Sequence, residues 1–250
     1  MTDEPRTSEL SLSRRDLLRV GLAAGPATLL AACGWTGGRL LESKLVRFSR
    51  VNDWVGEKLL FSGTRLAPQY PTSQRTAAIM LPGYSIAYNR TSAYPVVERP
   101  DTWALEVRGH VQKPVRLTLP MLQALPSVTY TVKHHCVEGW TAIATWTGVP
   151  VSTIVAMVEP TPQARYLRFD TFDDNYYNGW DLASAMHPQT ILAYAVNDRP
   201  LTMKHGAPLR LYSPVKLGYK LTKYLTAMTF TDIRPGGYWE DQGYPWFGGV

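Results

Sequence analysis

From residue 103 onward apolar and polar positions alternate. Trp103, Leu105, Val107 and Gly109 take one side and Ala104, Glu106 and Arg108 the other, the two-residue period of a half-buried strand. Thr118 to Leu125 reads as a short helix closed by Pro126. Val128 to Cys136, rich in Thr and Val, predicts a second strand. Pro150 to Val158 predicts a helix with proline in its first turn, where the missing N–H would have had no partner anyway. Further strands are predicted over 164–172, 191–196, 208–213 and 219–231. Many short strands with few short helices predict a mixed, strand-rich α+β fold with long loops, because a doubly wound sheet needs helices of about a dozen residues between strands.

Residues 34–100 show little period and are rich in Gly, Pro, Ser, Thr and Tyr, which predicts a tether followed by irregular loops wrapped round a later core. The predicted organisation is an address segment over 1–32, the tether and wrapping segment over 33–100, and a core over 101–250. No internal repeat is visible, and no second boundary follows 103. At 250 residues, 45% hydrophobic and 18% charged, the chain can bury a sizeable core and is not of the disordered class. No run of about 18 to 20 strongly apolar residues points to a bundle of membrane helices. The net charge of +6 is scattered, with none of the blocks or helical stripes of a nucleic-acid reader. An anionic cofactor or a membrane surface explains it better.

Ser13-Arg14-Arg15-Asp16-Leu17-Leu18-Arg19, followed by a weakly apolar stretch to Ala32 broken by Gly21, Gly25 and Pro26, resembles a twin-arginine export signal. Leu30-Ala31-Ala32-Cys33 resembles a lipobox, with Cys33 as the lipidated residue. The plain alternative is an amphipathic helix whose arginines face solvent. A twin-arginine substrate folds before export, often around a cofactor, so these residues predict a redox enzyme in the periplasm or cell envelope, held to the membrane by lipid. The chain has two cysteines. With Cys33 in lipid, Cys136 has no disulfide partner, and a lone thiol in an oxidising compartment needs either burial or a role.

The densest chemistry is Lys133-His134-His135-Cys136-Val137-Glu138-Gly139-Trp140, where a strand runs into a glycine turn. His134 and Cys136 share a strand face and His135 takes the other, and no Cys-x-x-Cys or second His pair is present to complete a structural zinc site. A Cys-His nucleophile pair, with Cys136 activated by His205 or His134, is a second possibility, and an inert buried cysteine a third. A fourth explains the single thiol directly: molybdenum held by a pterin dithiolene needs one further protein thiolate, a soft ligand for a polarisable metal.

Seven segments then carry a resemblance in order: Trp103-Ala-Leu-Glu-Val-Arg-Gly109, Leu117 to Pro126, His134-His-Cys-Val-Glu-Gly-Trp140, Trp146-Thr-Gly-Val-Pro150, Asp181 to Pro188, His205-Gly-Ala-Pro-Leu-Arg-Leu211 and Pro214 to Lys223. Over roughly 103–235 they resemble the molybdopterin-binding domain of the sulfite oxidase family, and within it the exported reductases of protein methionine sulfoxide. The resemblance implies a molybdenum-molybdopterin cofactor with Cys136 as the metal ligand. It implies Thr171 and His205 at the pterin, Arg210 as a cation facing its phosphate, and Lys223 with the backbone of Leu221 and Thr222 wrapping the same group. Glu138 corresponds to an acid near the metal, suited to relaying protons; a structural carboxylate is the alternative. His205-Gly206 follows the sulfite oxidases where the reductases carry Asn-Gly, and Tyr88-Asn89 is the nearest counterpart of an upstream pterin loop.

The implied activity is oxygen-atom transfer, with reduction of S-oxides such as methionine sulfoxide expected first. The segment after the ligand holds Glu138, aromatic Trp140 and no base, a poor seat for the sulfite dianion. An aromatic rim of Trp140 and Trp146 is expected to suit a thioether. Sulfite oxidation with a cytochrome acceptor is the second possibility, and a cofactor-free envelope scaffold or binding lipoprotein a third, from another class. No haem or flavin fingerprint is present, so electrons are expected to come from another protein, a membrane haem protein or cytochrome. Other expectations are engagement of the twin-arginine translocation machinery, no nucleic-acid partner, and a monomer.

Overall fold

The computed structural model describes residues 51, 53–77, 102–173 and 175–250. The export segment 1–32, Cys33 and the pair Tyr88-Asn89 lie outside the described residues. Among the described residues from Thr102 on, ten strands and three α-helices follow in order: β1 Ala104–Gly109, β2 Val115–Thr118, α1 Leu119–Gln123, β3 Val128–His135, β4 Thr141–Pro150, α2 Val151–Val158, β5 Tyr166–Thr171, β6 Tyr177–Asp181, α3 Leu182–Ala185, β7 Ile191–Val196, β8 Arg199–Pro200, β9 Arg210–Tyr212 and β10 Leu225–Thr231.

These strands build two five-stranded sheets. The first runs β2-β1-β10-β5-β6, antiparallel except where β1 and β10 lie parallel, so the first and last strands of the core meet at its centre. The second runs β3-β4-β7-β8, with β9 also paired to β7. One apolar core joins them. Leu105, Val107, Phe169, Met228 and Phe230 come from the first sheet and Val132, Ala144, Trp146, Ile191 and Leu211 from the second, all buried. Each Val, Leu, Ile, Met or Phe among them taken fully from water stabilises the fold by roughly 1.5–3 kcal/mol. Helix α2 adds Val151, Ile154, Val155 and Val158, spaced three and four apart so that one stripe faces inward. Helix α1 begins where the Thr118 hydroxyl accepts the Met121 N–H at 3.4 Å.

The strand-rich α+β class expected from the pattern is the one observed, with corrections to its parts. Strands β2, β4, β6 and the two-residue β8 were not anticipated. The span 219–231 is not one strand: Gly218–Lys220 forms a 3-10 turn, Tyr224 takes a positive φ of 59°, and only Leu225–Thr231 extends. The span 208–213 contracts to Arg210–Tyr212.

Val46–Val250 forms one compact unit. Within it, segment 53–77 is tied to the strands at separate points. The Asp53 carboxylate accepts the N–H groups of Trp246 at 2.9 Å and Phe247 at 2.7 Å. Gln189 bonds both the N–H and the carbonyl of Ala67, and Tyr70 N–H donates to the Thr131 carbonyl at 2.9 Å. Arg75 donates to Thr145 at 2.7 Å and pairs with Asp198 at 2.6 Å.

Candidate functional site

Strand β3 ends at His135, and Cys136 opens a tight turn. Its N–H donates to the Trp140 carbonyl at 3.0 Å, its carbonyl accepts Gly139 N–H at 3.1 Å, and Gly139 turns with a positive φ of 90° that disfavours a side chain. Inside this turn the Cys136 thiol donates to Glu138 Oε2 at 3.7 Å, and Trp140 Nε1–H donates to the same oxygen at 2.9 Å. The carboxylate is therefore held by two side chains, one of them the thiol, rather than by main-chain amides. Burial, together with the charge and the hydrogen bond of Glu138, raises the free Cys136 thiol above its usual range, while hydrogen bonds from the main chain at Glu138 and Val137 oppose the rise. A soft metal removes that proton on binding.

His134, two residues back on the same strand face, points inward against Trp140, with ring centroids 5.5 Å apart, and against Tyr212 at 6.2 Å. Burial, then the charges of Arg210, His135 and Lys223, push its imidazole down to about 3. His205 is similarly pushed down to about 4, by burial and by Arg210, Lys223 and Lys204. Arg210 and Lys223 thus act on both imidazoles, and the four side chains form one electropositive centre behind the Cys136 turn.

Arg210, 2% exposed, is the middle of that centre. It donates to the carbonyls of His205 at 3.0 Å and Leu221 at 3.1 Å, and its guanidinium lies over Trp146 at 4.9 Å. Burial lowers it to about 10 against the opposing pull of Tyr212, Tyr224 and Tyr176. Lys223 is pushed well below the usual lysine range by burial and Arg210, with Asp173 pulling the other way, and its ammonium donates to the Lys204 carbonyl at 3.3 Å. Gly206, at a φ of 98°, lets the chain pass so close that a Cβ there would lie 2.8 Å from Lys223 Cβ.

Among the described residues, His134 Nδ1, His205 Nε2 and Arg210 Nε are buried with no hydrogen-bond partner, as are Trp146 Nε1 and Tyr212 Oη beneath them. Unmet buried donors and acceptors cost on the order of 1–3 kcal/mol each, so a cluster of them around two buried cations fits a polar, anionic ligand. A pterin bearing a phosphate is such a ligand, and Cys136, two residues beyond His134, is half-buried with a sulfur free of any disulfide.

The remaining expected residues have more local work. The Thr171 hydroxyl donates towards the carbonyls of Asp173 at 3.0 Å and Tyr176 at 3.1 Å and accepts Asp173 N–H at 3.1 Å, which pins its own loop. The peptide groups of Leu221 and Thr222 are already bonded: Leu221 N–H to Gly218, Leu221 carbonyl to Arg210, Thr222 N–H to Lys220 and Thr222 carbonyl to Leu211. They fix Arg210 in place and offer no open N–H. Trp146 is fully buried and stacked on Tyr212 at 4.2 Å, so it floors the cation centre and does not join Trp140 in a rim. Among the described residues no hydrogen bond joins Cys136 to His205 or His134: His205 Nδ1 is bonded to Thr202 and the Cys136 thiol to Glu138. His134 as part of the cation centre, and Tyr212 beneath it, were not anticipated; the shared strand face of His134 and Cys136 was the available signal.

The profile of the oxidoreductase molybdopterin-binding domain matches residues 91–239, and the chain belongs to that family, the one that includes the sulfite oxidases. It is accordingly a molybdopterin-dependent oxidoreductase. Its relatives include the "Putative protein-methionine-sulfoxide reductase subunit YedZ1" of Azospira oryzae, 40% identical over 237 residues that cover 95% of this chain and 88% of that protein. They also include the "Protein-methionine-sulfoxide reductase catalytic subunit MsrP" of Campylobacter jejuni, 26% identical over 93% of this chain and 77% of that one. Among solved structures, the sulfane dehydrogenase SoxCD of Paracoccus pantotrophus shares the fold with a TM-score of 0.52 at 21% identity, over 56% of this chain and 41% of that chain.

Proposed function

We propose that this chain is an exported, envelope-held molybdenum enzyme that reduces S-oxides, with methionine sulfoxide as the first substrate. The observation that carries it is the carboxylate of Glu138, fixed 3.7 Å from the Cys136 sulfur by a 2.9 Å bond from Trp140. A like charge at about 4 Å and an effective dielectric near 20 costs on the order of 4 kcal/mol, which disfavours the sulfite dianion and leaves a neutral S-oxide unaffected. The names of the relatives point the same way.

When bound, molybdenum-molybdopterin supplies two-electron oxygen-atom transfer at the metal. Cys136 is the thiolate that would hold the metal, and Arg210 and Lys223 would neutralise the pterin phosphate, with His205 and the unpartnered edge of His134 beside them. Reduction of an S-oxide consumes two electrons and two protons and releases a thioether and water. Glu138, exposed on the turn and bonded to the thiol, is placed to carry protons from solvent to the substrate oxygen. Trp140 keeps that carboxylate in place. Electrons reach the site from a membrane haem protein or cytochrome, export follows the twin-arginine route, and lipid on Cys33 holds the enzyme at the membrane. Sulfite oxidation is the second reading, favoured by His205-Gly206.

The test is steady-state turnover of methionine sulfoxide with a reduced viologen dye, beside sulfite with ferricyanide. Methionine sulfoxide is expected to be turned over at least tenfold faster. Glu138→Gln is expected to slow that reaction and raise sulfite turnover. Robust sulfite oxidation without S-oxide reduction would overturn the assignment.

A further inference from the structure

Val51, Trp54, Leu59 and Leu66 are each more than half exposed, with Trp54 at 56% and Leu59 at 65%. Three of them belong to one element: residue 51 and residues 53–55 are helical and run into a single π-helical turn at Gly56–Leu60. Its inner side is fixed. Asp53 holds the N–H groups of Trp246 and Phe247, and a Cβ built on Gly56 would lie 3.1 Å from the Phe247 ring. In the α-helical part, at about 100° per residue, Val51 and Trp54 fall away from Asp53, and in the π-helical turn that follows Gly56 faces Phe247 while Lys58 and Leu59 are exposed. The outward face is thus an apolar patch with a tryptophan and an exposed lysine, Lys58, which bonds its neighbour Glu57 at 2.6 Å.

We propose that this face seats on the surface of an anionic lipid bilayer and sets the orientation in which the enzyme sits there. The chain leading to it supports lipid as the occupant. Seventeen residues separate Cys33 from Val51, and they include Arg39, Lys44, Arg47 and Arg50 against a single acid, Glu42. That excess of positive charge complements anionic headgroups, at about 1 kcal/mol per basic residue near the surface. Seventeen residues reach at most about 60 Å when extended, so a lipid on Cys33 keeps the Trp54 face at high local concentration against the bilayer. Tryptophan and aliphatic side chains beside lysine are the composition of helices that lie in the interface. The orientation it sets rests on the Cys33 lipid reading above; the affinity of the face for lipid does not, and the experiment separates the two.

The holoenzyme of the full exported chain carrying Cys33→Ser, and so without lipid, is sedimented with vesicles of phosphatidylcholine alone and of phosphatidylcholine with phosphatidylglycerol. The expected result is binding to the phosphatidylglycerol vesicles, weakened by salt, and quenching of tryptophan fluorescence by brominated lipid. Trp54→Glu and Leu59→Glu are expected to lower the bound fraction at least fivefold with molybdenum content unchanged. Absence of binding, or equal binding by both variants, would overturn the proposal. So would a wild-type dimer in solution that Trp54→Glu dissociates, because the face would then be covered by a second copy. Failure of labelled fatty acid to enter wild-type Cys33 would overturn the anchor alone, leaving the vesicle result to stand.

Discussion

Two pairs of buried cations lie within fourteen residues of each other, and they are resolved differently. Lys216 and Lys220 sit where β6 and the C-terminal segment meet. Lys216 Nζ donates to the Phe247 carbonyl at 2.7 Å, lies 3.2 Å from the Phe247 ring centroid and has Asp181 at 3.6 Å. Lys220 donates to the Gly179 carbonyl at 2.8 Å and pairs with buried Glu240. Each ammonium thus has a carboxylate, a carbonyl and an aromatic face from this chain. Arg210 and Lys223 are as deeply buried, yet among the described residues Arg210 meets two carbonyls, a tryptophan and three tyrosines, with no carboxylate bonded to it and no partner for its Nε. Burial of charge is common to both pairs; what sets the second apart is Arg210, which among the described residues has no carboxylate bonded to it. A cation met by a carboxylate of its own chain is architecture, and one without is half of a binding site.

The sharpest break of that distinction is a paired substitution. Arg210→Met is expected to lower the pterin recovered per chain at least tenfold, read by fluorescence after oxidative release, whereas Lys216→Met is expected to keep it within twofold. Equal loss in both would erase the difference between the two pairs.

A smaller effect tests the first pair by pH. Burial lowers Lys216 to about 7, against an ordinary value of 10.5. Between those values the unfolded chain holds a proton that the folded chain has released, so stability rises with pH across that window, and the penalty is fully present below about pH 7. The contribution is at most about 1.4 kcal/mol per pH unit. Denaturant unfolding from pH 7 to 10 should show the rise in the wild type and a flatter profile in Lys216→Met. An unchanged slope would mean that Lys216 stays charged in the fold.

Smaller again is Thr171→Val, which removes the hydroxyl holding Asp173 and Tyr176. It is expected to cost about 1 kcal/mol of stability and leave cofactor content unchanged. Loss of pterin in this variant would restore the direct contact that the family resemblance implies for Thr171.

Much of the candidate site is legible as a proposal because its residues lie in ordered motifs: Cys136 and Glu138 in one turn, His205 and Arg210 five apart, and Lys223 at the end of the Pro214 segment. What the sequence did not reveal has physical reasons. Strand β4, Thr141 to Pro150, lies between β3 and β7 with side chains buried on both faces, so no two-residue alternation marks it, and Ala142, Ala144 and Gly148 carry weak strand propensity. Strand β6 is five residues long and contains Asn178 and Gly179, residues of turns elsewhere; here Asn178 is buried and its amide donates to the Tyr219 carbonyl at 3.0 Å. The Lys216 and Lys220 pair was invisible because its partners come from Asp53, Asp181 and the last residues of the chain, far apart in sequence. Trp146 reads as a rim aromatic in a Trp-Thr-Gly-Val-Pro run, and only its stacking on Tyr212 shows it to be the floor.

The central claim is that the Cys136 thiol and the buried Arg210–Lys223 centre hold one cofactor. The most direct test is the metal content of the purified chain made in a host that synthesises molybdopterin, with Cys136→Ser alongside. About one molybdenum per chain is expected in the wild type and less than a tenth of that in the variant. Full zinc occupancy with no molybdenum in the wild type, or undiminished molybdenum in Cys136→Ser, would contradict it.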